Sequence, residues 1–71
     1  MGAGPLRIYE FHFFDRADRR PLLDFFDGAD DDAALVVALA RLADHRSCVG
    51  VEVHEAGRMV ARLRRDQSAA L

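Results

Sequence analysis

The sequence predicts an α+β protein in ββαββ order, a four-stranded, mainly antiparallel sheet with one helix packed on one face. Three features of the chain predict it. Two pairs of short segments alternate apolar and polar residues, one pair towards each end. A single Ala/Leu/Val-rich run with an acidic start lies between the pairs, and no internal repeat or low-complexity stretch suggests another plan. At 71 residues the chain has room for one domain only. Residues 1–5 read as a Gly/Pro-punctuated tail, 6–66 as the domain and 67–71 as a second tail.

From Leu6 to Phe14 the chain is aromatic and roughly alternating, which is strand chemistry. Tyr9, Phe11 and Phe13 share one face; Leu6, Ile8, Glu10, His12 and Phe14 share the other. The polar stretch Asp15 to Arg20 is a turn, and Pro21 suits the start of a second strand, Leu22 to Phe26, because no ladder donor is needed there. Asp27-Gly28-Ala29 breaks that strand. Asp30 is then placed to cap a helix from about Asp31 to His45, with Asp31 and Asp32 favourable to its dipole. Leu35, Ala38, Leu39 and Leu42 form the expected core stripe, flanked by Val36 and Ala43. Val37 is expected on the opposite side with Arg41 and Asp44, where an apolar side chain gains from packing only if another surface covers it. His45 and Arg46 bring positive charge to the helix end, which has no Gly cap.

Val49, Val51 and Val53 alternate with Cys48, Gly50, Glu52 and His54 in a third strand; Met59, Ala61 and Leu63 alternate with Val60, Arg62 and Arg64 in a fourth. A two-residue Ala56-Gly57 turn would set Val51 opposite Arg62 and mix the faces. A three-residue Glu55-Ala56-Gly57 loop instead sets Val53, Val51 and Val49 opposite Met59, Ala61 and Leu63, keeps one face apolar and puts Gly57 at a left-handed bulge position. The three-residue loop is therefore expected.

Tyr9-Glu10-Phe11-His12-Phe13-Phe14-Asp15, the Asp30-Asp31-Asp32-Ala33-Ala34 helix start, and Gly50-Val51-Glu52-Val53 followed by Gly57-Arg58-Met59-Val60 give the chain its punctuation. In these residues it resembles small uncharacterised bacterial single-domain proteins of about 70 residues. The resemblance implies a fold and no activity.

Composition narrows the function classes. The chain is 51% hydrophobic and 31% charged, with net charge -2, which is a globular profile. Apolar burial and chain ordering each come to about 100 kcal/mol for a domain this small, so the monomer is marginal and further burial matters. One cysteine, Cys48, gives no disulfide framework and suggests a reducing cytoplasm. The start lacks the regions of a secretion signal, Leu6 stands where myristoylation needs Ser or Thr, and no apolar run is long enough for a membrane span. All ten basic residues are Arg, a bias expected of a GC-rich bacterial genome.

The feature most like a site is the repeated Glu-x-His, Glu10-Phe11-His12 and Glu52-Val53-His54. On strands these four side chains share the uncovered face, with Cys48 expected nearby, and two imidazoles with two carboxylates suit a transition metal. Their spacing matches no recognised metal motif, so a solvated polar face is favoured and no cofactor is expected. Arg58, Arg62 and Arg64 could contact nucleic-acid phosphates, although the net charge is negative and the aromatics look committed to the core. Nucleophile, phosphate-loop and dinucleotide motifs are all missing, and the Asp triplet lacks the spacing of a calcium loop. Catalysis and a small-molecule substrate are accordingly not expected.

The stronger expectation is association. One helix covers one sheet face, yet Leu6, Ile8, Phe14, Val60 and either Leu22/Phe26 or Leu23/Phe25 should stand on the other, with Val37 exposed on the helix. The sequence therefore predicts a small cytoplasmic interaction module, homodimeric through the open sheet face or an edge strand, or bound to another protein.

Overall fold

The computed structural model describes residues 6–65; the tails expected at 1–5 and 67–71, and Asp66, lie outside them. The elements are β1 (Arg7–Phe14), β2 (Leu22–Gly28), α1 (Asp31–Asp44), β3 (Gly50–Glu55) and β4 (Arg58–Arg64). They form one antiparallel sheet in the order β2-β1-β3-β4, with α1 on one face. This is the predicted ββαββ fold. Among the described residues no helix is long and apolar enough to cross a membrane.

The core grows from β1, which lies between two partners and buries Tyr9, Phe11 and Phe13 completely under the helix. Val51 and Val53 of β3 and Cys48 join them, with Phe26 and Leu63 packed at the margins. Three large rings in a row raise the floor beneath α1, so the helix presents two alanines over much of it: Ala34, Ala38 and, nearer the helix end, Leu42 are the buried line. Leu35 drapes over one flank and Val37 over the other. The expected stripe was centred roughly 60° further round, at 100° per residue. Val37 consequently packs on the core instead of facing solvent, while Leu39 is partly exposed and Val36 is 68% exposed. Arg41 lies on the Val37 flank. It donates to Asp24 (2.8 Å) and to the Phe25 carbonyl (3.0 Å), and its guanidinium sits 5.5 Å and 5.7 Å from the Phe11 and Phe26 ring centres.

The helix starts as predicted, with the Asp30 side chain accepting from the Ala33 N–H at 2.9 Å. Its end is closed partly by local backbone, the N–H of His45 donating to the Leu42 carbonyl and that of Cys48 to the His45 carbonyl (3.0 Å each), and partly from elsewhere in the chain. Arg65 donates to the carbonyls of Leu42 (2.6 Å), His45 (2.9 Å) and Cys48 (3.0 Å), taking the place of a glycine cap.

The β3–β4 turn differs from expectation. Glu55 pairs with Arg58 across a two-residue turn, and Ala56 and Gly57 both have positive φ (53° and 79°). A bulge between Val53 and His54 then shifts the register, so that Val51 opposes Leu63 and Val53 opposes Ala61. One apolar face is preserved, as the three-residue loop was meant to ensure, but the extra residue sits inside β4. Val60 turns onto the core and Met59, opposite His54, turns to the uncovered face. The expected positions of both residues are thereby reversed.

Candidate functional site

The candidate site is the sheet face without a helix. Adjacent antiparallel strands β1 and β3 carry the two Glu-x-His repeats in opposite directions, and the register sets Glu10 beside His54 and His12 beside Glu52. Both repeats are thus brought into one cluster. The imidazole Nε2 of His12 lies 3.0 Å from Glu10 Oε1, that of His54 lies 3.1 Å from Glu52 Oε1, and the two rings meet edge-on with centres 4.7 Å apart. Cys48 is not part of this group. It is buried in the core beneath α1.

Glu52 is the hub, and only 7% of it is exposed. Arg20, reaching in from the β1–β2 loop, donates to its Oε2 at 2.8 Å, and Arg62 and His54 donate as well. Burial pushes this carboxyl upward, yet the hydrogen bonds from His54, Arg20 and Arg62 together outweigh it and hold the group below the ordinary glutamate value. Glu52 is therefore a fixed anion. Arg62 also lies over Phe14, with its guanidinium 3.9 Å from the ring centre. Phe14 in turn crosses Gly50, where a Cβ would come within 2.2 Å of the ring.

Around this polar centre stand Ile8, Leu23, Phe25 and Met59, exposed by 63%, 54%, 56% and 54%. Leu6 and Ile8 keep the exposure expected of interface residues. Phe14 does not, being 1% exposed beneath Arg62, and Val37 and Val60 are withdrawn into the core. Of the two alternatives for β2, Leu23 and Phe25 project outward, because Tyr9 pairs with Phe26 on the helix side. Arg20 carried no local signal, since it finds Glu52 across 32 residues of chain.

The arginines proposed for nucleic acid are committed to protein partners. Arg58 bridges Asp31 and Glu55 on the helix side of the sheet, Arg62 holds Glu52 and Asp18, and Arg64 is half-buried and also has a partner. Among the described residues no group of three or more His, Cys, Asp or Glu side chains has the geometry to hold a metal ion. No protein-family model, curated protein or solved structure matches the chain, so the chemistry of this face stands on its own residues.

Proposed function

We propose that the protein is a binding module that associates through the uncovered sheet face, with a second copy of the chain as the occupant. One observation carries this reading: Ile8, Leu23, Phe25 and Met59 stand more than half exposed on a face that no element among the described residues covers. The polar centre suits a second copy because within each chain Glu52 is held by Arg20 and Arg62 and Glu10 faces His12, so the carboxylates that would meet across the contact already have partners of their own. Four strands about 4.8 Å apart make a face of roughly 400 Å². That is about half the roughly 800 Å² per partner of a stable interface, so the dimer is weak and concentration-dependent. The module acts by binding and not by catalysis, in keeping with a Cys48 that is sealed in the core.

Sedimentation from low micromolar to millimolar concentration tests this directly. The expected result is a reversible monomer–dimer equilibrium that Phe25→Glu and Ile8→Glu each abolish while the fold is kept. A monomer throughout that range overturns the proposal, as does a dimer that both variants leave intact.

A transition-metal site is a second reading, favoured by the meeting of His12 and His54. Against it, the carboxylate of Glu52 is occupied by two arginines as well as by its histidine. Elemental analysis of the purified protein is expected to find no stoichiometric metal. A metal that disappears in the His12→Ala/His54→Ala double variant would establish this reading in place of the first.

A further inference from the structure

The end of the sheet where β1 and β4 finish carries a second surface, distinct from the open face. Three segments meet there: the β1–β2 loop, the α1–β3 loop, and Arg65 just after β4. Backbone bonds from the Val49 N–H to the Phe14 carbonyl (2.9 Å) and from the Arg65 N–H to the Val49 carbonyl (2.8 Å) fix them together. Between them opens a cleft of about 540 Å³, within the range of small-ligand sites. Arg16, Arg19, Arg46 and Arg65 line it along with Ser47, and Asp15 is the one acidic residue there among the described residues.

The distribution of partners makes this cleft unlike the rest of the surface. Arg7, Arg19, Arg20, Arg41, Arg58 and Arg62 each face a carboxylate. Arg16 and Arg46 have neither a hydrogen bond nor an ion pair among the described residues, and Arg65 meets only carbonyl oxygens there. All three of these uncompensated arginines line the same cleft, in a chain whose net charge is -2. The single carboxylate among the described lining residues cannot neutralise them, because Asp15 is engaged by the N–H groups of Ala17 and Arg19 and by the Arg19 side chain. These bonds, the Arg19 N–H first, keep it below the ordinary aspartate value, so it stays an anion bound to its own loop. The carbonyls at the end of α1, which would repel an anion, are covered by Arg65.

We propose that this cleft binds a small phosphate-bearing molecule, gripped by Arg16 and Arg46, with Arg65 supplying charge and the Ser47 hydroxyl a further donor. A phosphate group offers several oxygens to planar guanidinium forks, which is the geometry arginine recognises best. A nucleic-acid strand fits less well. It needs a cationic track, and Arg58 and Arg62, beyond the cleft, are neutralised by Asp31, Glu55, Glu52 and Asp18.

The test is an amide-resolved NMR titration of the full chain with inorganic pyrophosphate, using sodium chloride at matched ionic strength as control. Saturable shifts confined to Asp15–Arg19 and Arg46–Val49 are expected. The Arg16→Ser/Arg46→Ser double variant should weaken binding by about tenfold or more. Both side chains are exposed and have no partner among the described residues, so the variant's spectrum should match the parent's away from the cleft. Shifts that chloride reproduces, or a double variant that binds as well as the parent, overturn the proposal. So does a mixed-sequence RNA oligonucleotide that binds more tightly than pyrophosphate and shifts β4 along its length, which would make the strand the ligand.

Discussion

Gly50 shows how much a single missing side chain decides. Its hydrogen allows Phe14 to fold across β3, and Arg62 then closes over the ring while its other contacts hold Glu52. A Cβ would also lie 2.5 Å from the Leu63 carbonyl, and backbone in a paired strand cannot yield. Gly50→Ala is therefore expected to destabilise the protein by about 2 kcal/mol or more, read as a lower urea midpoint. An unchanged midpoint would mean that the ring moves aside freely. Ala56 offers the opposite case. It holds φ 53° in a turn that requires positive φ at both central positions, and an L residue other than Asn or Gly is strained there. Ala56→Asn should add about 1 kcal/mol and raise Tm by about 4–8 °C; a fall in Tm would show that the turn tolerates alanine without strain.

The elements show where local rules gave way. The start of α1 is capped by its own sequence, whereas its end adds to the local backbone bonds of His45 and Cys48 a guanidinium from Arg65, more than 20 residues away from Leu42. Arg65→Ala leaves the carbonyls of Leu42, His45 and Cys48 without this donor. It is expected to cost about 1–2 kcal/mol and to speed hydrogen exchange in the last turn of α1 more than in the first. Equal acceleration along the helix would argue that Arg65 does not act as the cap. In β4 the bulge performs the task that a longer loop could have performed. It lets a tight turn close the hairpin and still returns Ala61 and Leu63 to the apolar face.

At the scale of the whole molecule, carboxylates set the response to pH. The hydrogen bonds of Arg58 and Tyr9, in that order, hold Asp31 below the ordinary 3.8 of aspartate. Asp15 is lowered from the same value, chiefly by the Arg19 N–H, and Glu52 from 4.5, where its donors prevail over burial. Groups with depressed values stabilise the fold fully above their ordinary values, and that contribution is lost as pH falls through the folded ones. Tyr9 works in the other direction. Burial first, and the hydrogen bond to Asp31 second, raise its phenol above the ordinary 10.0, so its contribution is lost as pH climbs beyond that value. Urea midpoints are expected to be flat through neutrality, to fall below about pH 4 and to fall again above about pH 10. A midpoint unchanged down to about pH 2 would show that these carboxylates contribute nothing. The molecule also separates its two candidate surfaces: the exposed apolar residues Ile8, Leu23, Phe25 and Met59 stand on the open sheet face, whereas Arg16, Arg46 and Arg65 line a cleft at one end.

The sequence by itself determined the element order, the Asp30 cap, the inward row Tyr9-Phe11-Phe13 and the common face of the two Glu-x-His repeats. Each of these follows from a period or a cap written over a few neighbouring residues. Only the tertiary structure decided that β1 and β3 are neighbours, which turns two repeats into one cluster, and that Leu23 and Phe25, not Leu22 and Phe26, face outward. It also decided that α1 rolls to seat Val37 inward, that Met59 and Val60 exchange faces, and that Arg20 and Arg62 converge on Glu52. The reason is common to all of them. Each depends on shape or charge arriving from a distant part of the chain, where rings set the height of a helix and arginines find carboxylates that no local spacing encodes.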